Sequence, residues 1–344
     1  MRAAILENNQ LKITEIAKPS PGRDQALVRL TAAGVCHSDI HLVKGDWPRL
    51  ALRGPTAMGH EGIGVVEALG PGAEQFLQMG DRVIMGLGGL GGGFWCGACE
   101  FCLSGRPRLC HAAKPLLGTY AEYIAAWAKA LVPLPEQVAD REVSLACGGL
   151  TAYSAIKKLI HYGVSPGRPV ALIGAAGGLG HYAVQIAKAF GFMVVGVDLG
   201  PDKAAFVKQL GADYALDVKE ALECVHQALG GVDGCIVFTP KVTGFELGLR
   251  LLKRGGVFIG VGMPPATDPP MTLHPLDLAQ KELLITSSAV GNVEEMRELI
   301  QLAARGKVST HASLQASLSE LPAILEALDQ GKYTGRAIIN DLSR

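Results

Sequence analysis

The sequence lacks an excess of charge of either sign, a long apolar run and an N-terminal targeting signal. Lysine plus arginine and aspartate plus glutamate number 32 each in 344 residues. This balance offers no basic surface to nucleic acid or to an anionic membrane. No apolar run is long enough to span a bilayer, and Glu7 interrupts the N-terminus before a signal-peptide core could form. We therefore expect a cytoplasmic protein without a nucleic-acid or membrane partner.

The length predicts two domains, because a single hydrophobic core rarely grows past about 250–300 residues. Residues 1–148 contain short strand-like segments broken by Gly and Pro, such as QALVRLTAAGV and GIGVVEALG. These segments predict a compact, β-rich, barrel-like domain. From Pro169 onward, strands alternate with helices, as in PVALIG, GGLGHYAVQIAKAFG and FMVVGVD. This alternation predicts an α/β domain with a doubly wound parallel sheet.

In the C-terminal part of the chain, strands and helices continue to alternate, and the last segment then returns to the first domain. TGFELGLRLLKRGG is predicted as a helix, VFIGVG as a strand, and NVEEMRELIQLAARG as a helix capped by Asn292. The last segment, LPAILEALDQGKYTGRAIINDL, predicts a helix, a turn and a strand that returns to the first domain. The predicted domains are therefore 1–148, completed by 288–344, and 149–287.

Four cysteines occur at close and regular spacing in WCGACEFCLSGRPRLC. Four thiolates at this spacing can converge on one tetrahedral zinc ion, with Zn–S distances of about 2.3 Å and no open coordination position. The alternative is a pair of disulfides, which the repeated C-x-x-C step disfavours. A closed site does no chemistry, so the working site must lie elsewhere. The predicted ligands of this structural zinc are Cys96, Cys99, Cys102 and Cys110.

A dinucleotide site is predicted in VALIGAAGGLGHYAVQ, where a strand ends at Gly174 and a helix follows. Glycines there let the backbone approach a pyrophosphate at the helix N-terminus, although Ala175 stands where a strict G-x-G-x-x-G requires Gly. Asp198 ends the next strand, 18 residues after Gly180. A carboxylate at this position accepts hydrogen bonds from the adenosine ribose and repels a 2′-phosphate, so NAD is favoured over NADP. Lys203 can reach the same ribose.

A second set of metal-binding residue types is spread over the first domain, in CHSDIH, GHEGIG and ACGGLTAY. A single Cys is usually a small buried hydrophobic residue, and a single His is more often an ordinary core or surface residue. Together, Cys36, His60 and Cys147 supply two thiolates and one imidazole. This donor set occurs at catalytic zinc sites that keep one position open for substrate.

These motifs resemble those of the zinc-dependent alcohol dehydrogenases of the medium-chain dehydrogenase/reductase family. GHEGIGVVEALGPGA fits the family signature G-H-E-x-x-G-x5-G-x2-A at every fixed position, and the four cysteines have the family spacing. IGAAGGLG is similar to the yeast and bacterial tetrameric branch. The resemblance covers essentially the whole chain. It implies a GroES-like catalytic domain, a Rossmann cofactor domain, NAD, a small alcohol or aldehyde substrate and a homotetramer.

The resemblance also implies roles for individual residues of the first domain. It assigns a catalytic zinc to Cys36, His60 and Cys147, which makes two zinc ions per chain. Ser38 is implied to hydrogen-bond the substrate oxygen, and His41 to form the solvent end of a proton relay that runs through the nicotinamide ribose. The residues implied for catalysis are Ser38, the acid Asp39 that orients His60, His41, and Glu61, a transient ligand during exchange at the metal.

Cofactor contacts follow from the resemblance in the same way. His37 and Arg336 are implied to contact the pyrophosphate, and Thr151 the nicotinamide. For His37 and His41 the alternative is a pair of ordinary surface histidines. The implied cofactor-binding residues are His37, Thr151, Gly177, Gly178, Leu179, Gly180, Asp198, Lys203, Val261 and Arg336.

Some positions depart from the family pattern or match no ligand. The stretch VIMGLGGLGGGFW is longer and richer in Gly than the family's pocket-lining segment, so residues 86–93 leave that pocket wall undefined. Cys147 lies in Cys-Gly-Gly instead of the usual Cys-Ala-Gly. Trp47 is implied to narrow the substrate pocket, the alternative being that it packs against the barrel as an apolar body. Cys224 and Cys235 are predicted to be buried structural thiols.

We therefore expect an enzyme that reversibly oxidises primary alcohols to aldehydes with hydride transfer to NAD. A secondary-alcohol or polyol dehydrogenase of the same family is the nearest alternative. Zinc-free quinone or enoyl reductases share the fold and the glycine-rich loop, but they lack both cysteine sets. A zinc-containing protein that only binds nucleic acid or another protein would require a basic face or an aromatic platform, which the sequence does not offer.

Overall fold

The computed structural model describes residues 1–50, 52, 54–86 and 92–344. The chain divides into two units, one formed by Met1–Leu150 with Val290–Arg344 and the other by Thr151–Ala289. The first segment ends at Leu150 and the last begins at Val290, each two residues later in the chain than the predicted limits 148 and 288. Among the described residues, no helix combines the length and the apolarity that a membrane crossing requires.

The chain up to Leu150 forms mostly strands, many of them rich in β-branched residues and bounded by turns. The strands are β1 (Arg2–Glu7), β2 (Gln10–Glu15), β3 (Gln25–Val35), β4 (Thr56–Ala57), β5 (Gly62–Leu69), β6 (Arg82–Met85), β7 (Tyr123–Trp127) and β8 (Val132–Pro133). The helices are α1 (His37–Lys44), α2 (Glu100–Leu103) and α3 (Gly148–His161). Short 3-10 helices cover Pro48–Leu50, Ala73–Gln75, Pro107–Leu109, Ala128–Ala130 and Asp140–Ala146.

The second unit alternates strands and helices. Its elements are β9 (Pro169–Ile173), α4 (Gly180–Ala189), β10 (Met193–Asp198), α5 (Pro201–Gln209), β11 (Tyr214–Asp217), α6 (Val218–Leu229), β12 (Val232–Val237), α7 (Val242–Leu251), β13 (Leu252–Gly260), α8 (Pro275–Lys281) and β14 (Leu284–Ser287). The chain then completes the first unit with α9 (Val293–Ala304), β15 (Ala312–Ser317), a 3-10 helix (Leu318–Glu320), α10 (Leu321–Asp329) and β16 (Arg336–Asp341).

The first unit is organised around β3, which is buried along nearly its whole length. A seven-stranded sheet has the order β15-β16-β3-β5-β6-β8, with β7 also paired to β3, and a separate sheet has the order β2-β1-β4. β16 lies antiparallel to β3, with Ala337 opposite Val35. The prediction that the C-terminal strand returns to the first domain is therefore confirmed, and β3 ends beside Cys36 with neighbours on both sides.

The second unit contains a six-stranded parallel sheet with the order β11-β10-β9-β12-β13-β14. Counted along the chain, this is the 3-2-1-4-5-6 order of the Rossmann fold. β9 is fully buried and central, and its carboxyl end leads directly into Gly174. In this fold, ligands bind beyond the carboxyl ends of the strands where the strand order reverses. The predicted fold class is confirmed.

Two local predictions require correction. The helix predicted over 243–256 ends at Leu251, and Leu252 already pairs with Val232 in β13. Within β13 the pairing with β12 shifts register between Leu252 and Val257, and Gly255 in this stretch has φ +73°, a conformation that a helix interior does not permit. No element was predicted over β11 and α6; a four-residue strand gives little periodic signal, but this does not account for the 12-residue helix α6. The predicted cap is confirmed: the Asn292 side chain accepts from the Glu295 N–H at 2.9 Å.

Candidate active site and metal clusters

Two groups of metal-binding side chains form among the described residues, and within each group all ligand atoms lie within 4.8 Å of one another. One ion with bonds of about 2.0–2.3 Å can reach all atoms of such a group. The first group, which we call the four-cysteine lobe, consists of Cys96, Cys99, Cys102 and Cys110. The second, which we call the buried cluster, consists of Cys36, His60, Glu61 and Cys147. Both groups coincide with the ligand sets predicted from the sequence.

The four-cysteine lobe is built by local backbone geometry. Cys99 caps the short helix α2, and Cys110 follows the 3-10 helix Pro107–Leu109. The Sγ atom of Cys102 lies 3.9 Å from that of Cys96 and 3.6 Å from that of Cys99. A tetrahedron of sulfurs around zinc has edges of about 3.8 Å, so the donor set fits this ion.

Backbone amides favour the thiolate form of Cys96. The N–H groups of Ala98 and Cys99 donate to the Cys96 sulfur at 3.4 and 3.3 Å. These two bonds lower the pKa of Cys96 to about 6, whereas burial raises the pKa of Cys102 to about 12. Because the thiolate is the form that binds metal, Cys96 is the thiol of this pair that is suited to zinc before any metal arrives.

The buried cluster is assembled from three separate chain segments. Cys36 lies between β3 and α1, His60 and Glu61 immediately precede β5, and Cys147 precedes α3. All four side chains are almost completely enclosed. Imidazole and thiolate donors at these positions match the set of an open catalytic zinc site.

His60 has the orientation of a metal ligand. Its Nδ1 atom lies 3.1 Å from Oδ1 of the fully buried Asp39. Its Nε2 atom is buried and has no hydrogen-bond partner among the residues that the structure describes. A buried imidazole nitrogen without a partner is destabilising unless a ligand occupies it. Nε2 is therefore the atom expected to bind the metal, with Asp39 fixing the ring from the other side.

The electrostatics of the buried cluster also favour a cation. A hydrogen bond from Cys147 lowers the pKa of Cys36 well below its usual value, and the same bond raises that of Cys147. Burial lowers the pKa of His60, but the charge of Asp39 and their hydrogen bond raise it by more. The lowered pKa of Cys36 favours its thiolate form, which is the form that binds zinc.

Tyr120 supports Asp39 from behind, a contact that sequence reasoning missed. Its hydroxyl donates to Oδ2 of Asp39 at 2.7 Å, and the Cys36 N–H donates to the same oxygen at 3.2 Å. Tyr120 is fully buried, and burial together with the charge of Asp39 raises its pKa well above the usual value, so the phenol remains a neutral donor. No spacing rule links Tyr120 to Asp39, 81 residues earlier.

Glu61 is paired inside the protein with Arg336. The Arg336 guanidinium donates to both carboxylate oxygens, and both side chains are at most 3% exposed. Burial raises the pKa of Glu61 to about 7, against the lowering effect of the Arg336 charge. Glu61 therefore lies beside the predicted ligands with a partner from β16, the strand that returns to β3.

The residues implied for proton transfer lie along α1. Ser38 is half-buried, whereas the His41 ring is buried and its Nδ1 atom lies 2.7 Å from Oδ2 of Asp46. The ring centroids of Trp47 and His37 lie 4.5 and 5.1 Å from that of His41. His41 is thus not an ordinary surface histidine. Whether Trp47 also borders the substrate is a prediction that these contacts do not decide.

The glycine-rich loop between β9 and α4 has the close backbone approach that a dinucleotide requires. A Cβ atom on Gly180 would lie 2.0 Å from the Gly174 carbonyl oxygen, so only Gly fits there. Asp198 ends β10 and is 8% exposed, and its carboxylate accepts the N–H of Ala176 at 2.8 Å. Lys203 reaches the same carboxylate at 3.3 Å. The loop and the acidic residue are therefore joined, as in the dinucleotide-binding fingerprint.

The remaining predicted residues lie as follows. Thr151 is buried on α3, and Val261 is buried just after β13. The pocket wall predicted to be undefined over 86–93 lies largely outside the described residues. Cys235 is buried as predicted, but Cys224 is only partly buried, because it lies on a less enclosed face of α6. Neither belongs to a metal cluster among the described residues.

Two protein families match this chain. Residues 22–136 match the alcohol dehydrogenase GroES-like domain, and residues 178–305 match the zinc-binding dehydrogenase family. An alcohol dehydrogenase of Geobacillus stearothermophilus is 38% identical over 98% of this chain and 99% of its own length.

Solved structures give the same result. An alcohol dehydrogenase from the hyperthermophilic archaeon Aeropyrum pernix has a TM-score of 0.88 and 31% identity, covering 98% of this chain and 99% of that chain. A cobalt- and zinc-bound thermostable alcohol dehydrogenase from Pyrobaculum aerophilum has a TM-score of 0.86 and 28% identity, with the same coverage of both chains.

Proposed function

The chain belongs to the zinc-dependent alcohol dehydrogenases of the medium-chain dehydrogenase/reductase family, and on that premise we propose that it oxidises primary alcohols to aldehydes reversibly, with NAD as hydride acceptor. The observation that carries this proposal is the buried cluster, in which the Nε2 atom of His60 faces two cysteine thiols without a partner among the described residues. A zinc-free reductase would have no use for this arrangement.

Each chain is proposed to hold two zinc ions. Cys36, His60 and Cys147 would hold the catalytic ion, and the four-cysteine lobe would hold the structural one. A catalytic zinc supplies a Lewis acid that lowers the pKa of an alcohol hydroxyl and polarises an aldehyde carbonyl. Glu61, which is paired with Arg336, is proposed to act as a transient ligand during exchange at this site.

Proton movement is assigned to side chains on α1. Ser38 is proposed to accept the proton of the substrate hydroxyl, and His41 to be the base that finally receives it. A His41→Gln variant should oxidise alcohol more slowly near neutral pH and recover partly at higher pH, where hydroxide takes over proton removal. An unchanged pH–rate profile would remove His41 from the mechanism.

NAD is proposed to bind at the glycine-rich loop. It supplies the acceptor for the hydride. Asp198 would accept hydrogen bonds from the adenosine ribose and repel a 2′-phosphate. The other proposed contacts are His37, Thr151, Gly177, Gly178, Leu179, Gly180, Lys203, Val261 and Arg336. Replacing Asp198 with Ser should narrow the preference for NAD over NADP, and efficient use of NADP by the wild-type enzyme would contradict this assignment.

The proposed assembly is a homotetramer in the cytoplasm, as in the yeast and bacterial branch that the loop sequence resembles. Six of the eight cysteines lie in the two metal clusters, and none of the eight, all within the described residues, forms a disulfide. This supports a reducing compartment. Light scattering of the purified holoenzyme would test the subunit count.

A panel of primary, secondary, aromatic and polyol substrates, measured by NAD reduction, tests the proposed substrate class. The alternative is a secondary-alcohol or polyol dehydrogenase of the same family. The resemblance implies that Trp47 lies in the wall of the substrate pocket, where a large rigid side chain would exclude a branched carbinol carbon and so favour primary alcohols. Higher kcat/KM for a secondary alcohol than for its primary isomer would overturn this part of the proposal.

A further inference from the structure

The C-terminus of α1 brings Asp46 back onto His41. Gly45 follows the helix with φ +72°, its N–H donates to the Leu42 carbonyl at 3.3 Å, and the Asp46 N–H donates to the His41 carbonyl at 3.0 Å. This pair of bonds is the Schellman motif, in which the second residue past the helix end returns to the last turn. The two positions that usually make an apolar contact in this motif are occupied here by His41 and Asp46.

The side chains of these two residues meet in a nearly enclosed place. Nδ1 of His41 lies 2.7 Å from Oδ2 of Asp46, and the two side chains are 8% and 25% exposed. The Trp47 ring covers His41 at 4.5 Å between centroids. The imidazole is therefore almost withdrawn from water, whereas the carboxylate bonded to it still reaches water.

The contact determines which nitrogen of His41 can act as a base. An ionised carboxylate only accepts hydrogen bonds, so Nδ1 must carry the hydrogen that joins the two groups. In the neutral ring, Nε2 is then the acceptor. A base that receives a proton in the reaction must present this free acceptor, and the adjacent carboxylate stabilises the imidazolium that forms, as in other His–Asp pairs.

We propose that Asp46 is a positioning residue that holds His41 in the Nδ1–H tautomer and stabilises the imidazolium that forms when His41 receives the transferred proton. This inference rests on the proposed role of His41 as the proton acceptor. In the step, an Nε2–H bond forms as His41 receives the proton, while the Nδ1–H group stays hydrogen-bonded to the ionised Asp46. The Nε2–H bond then breaks as water takes this proton, so His41 returns to the neutral Nδ1–H tautomer and Asp46 remains an anion.

Other charged groups near His41 are already engaged or lie on its own helix. His37 packs against it on α1 with ring centroids 5.1 Å apart. Lys44, also on α1, is paired at 2.7 Å with Asp329 of α10, the helix packed against α1. Among the described residues, Asp46 makes the side-chain hydrogen bond to the His41 ring. Asp329 thus provides a matched control: a carboxylate that is paired with a neighbour of His41 on α1 and not with the His41 ring.

A first experiment measures the tautomer directly. Selective 15N labelling of histidine in the zinc-loaded enzyme, with His41→Gln to assign the signal, reports which ring nitrogen is protonated. We expect the Nδ1–H form in the wild type, in Asp329→Asn, and in Asp46→Asn, whose amide oxygen still accepts. Asp46→Ala should shift the population toward Nε2–H. An Nε2–H form in the wild type, or no change in Asp46→Ala, would overturn the inference.

A second experiment measures pH–rate profiles of alcohol oxidation. Asp46→Asn keeps an acceptor for the Nδ1–H group but removes the negative charge that stabilises the imidazolium, so its rate near neutral pH should fall by about threefold to tenfold and recover at higher pH. Asp329→Asn should retain the wild-type profile. Because Asp46 acts through His41, the double variant Asp46→Asn/His41→Gln should be no slower than His41→Gln alone.

The outcomes separate the two proposals. A slowed His41→Gln with an unchanged Asp46→Asn, or independent losses in the double variant, would refute the role of Asp46 and leave the relay intact. Unchanged profiles in both single variants would refute the relay, and the role of Asp46 with it.

Discussion

The four-cysteine lobe and the buried cluster use the same chemical group in opposite ways. The ligands of the lobe lie within 15 residues, Cys96 is exposed, and neighbouring backbone N–H groups donate to its sulfur. The buried cluster draws ligands from three segments and is enclosed. Its neighbours come from still farther away: Tyr120 contacts Asp39 across 81 residues, and Arg336 contacts Glu61 across 275.

This difference follows from what each site must do. A closed structural site needs four thiolates and nothing more, so a short loop can supply it. A site that leaves one position for substrate has fewer protein ligands and lies in a low-dielectric interior, where every charge requires a partner. Those partners come from distant parts of the sequence, so the geometry of the buried cluster depends on the folding of the whole first unit.

The largest effects are expected when a metal ligand is replaced, and they should differ between the two sites. Cys99→Ser should lower the free energy of unfolding by several kcal/mol, because a structural zinc contributes folding energy. Cys147→Ser should lower turnover by at least about a hundredfold while the fold remains largely intact. Elemental analysis of the wild type should approach two zinc ions per chain. One zinc per chain, or an equal loss of stability in both variants, would contradict the division of roles.

The next effect concerns the dependence of the buried cluster on Arg336. Arg336→Met leaves the Glu61 carboxylate buried without its partner, which should reduce the stability of the metal-free protein by about 3–5 kcal/mol. The control is Arg168→Met, because Arg168 is paired with Asp233 but is 57% exposed, and such pairs contribute at most about 1 kcal/mol. Stability is measured by denaturant unfolding at pH 8. Equal losses in both variants would show that the buried Arg336–Glu61 pair contributes no more to stability than an exposed ion pair.

The same pair has a predictable pH dependence. Burial raises the pKa of Glu61 from 4.5 to about 7, so its contribution to stability is greatest below pH 4.5 and is lost as the pH rises through 7. Arg336 lowers this pKa, so Arg336→Met should extend the loss to higher pH. The stability difference between wild type and variant should therefore be constant between pH 4.5 and about 7 and should widen as the pH rises above 7. A difference that stays constant above pH 7 as well would contradict this.

A smaller effect is expected one contact farther from the metal. Tyr120→Phe removes the hydroxyl that donates to Asp39 and so loosens the residue that orients His60. Zinc affinity at the buried cluster should fall by about 10- to 100-fold, measured by chelator competition and by the absorption spectrum of the cobalt-substituted enzyme. Tyr182→Phe, at an equally buried tyrosine of the second unit, is the control. Unchanged zinc affinity would show that Tyr120 contributes to packing but not to metal binding.

The contrast between the sites also explains what could be predicted from the sequence. The four-cysteine lobe was predictable because its four ligands lie in one short segment, so their spacing in the sequence determines how they meet in space. The dispersed ligands Cys36, His60 and Cys147 could be grouped only through the resemblance to a family. Their binding of zinc stays a prediction, although the structure brings their ligand atoms together.

The roles of Tyr120 and Asp46 were not predicted, and the two cases differ. Tyr120 reaches Asp39 only through strand pairing across the first unit, and no local pattern encodes that contact. Asp46 was within reach of local reasoning, because Gly45 at the end of α1 predicts a chain reversal. In the second unit, the alternation of strands and helices was sufficient to predict the Rossmann sheet, but not the short strand β11.

The smallest expected effect tests how far the surroundings of the buried cluster influence the substrate. Trp47→Ala should reduce the preference for a primary alcohol over its secondary isomer by about fivefold, roughly 1 kcal/mol, because excluding one methyl group seldom contributes more than a few kcal/mol. Trp47 also packs on His41 at 4.5 Å, so the variant is expected to slow proton transfer as well. The ratio of the two kcat/KM values separates these effects, since a relay defect lowers both rates together and leaves the ratio unchanged. A ratio that does not move, in a variant that is slower with both alcohols, would show that Trp47 serves His41 and does not shape the pocket.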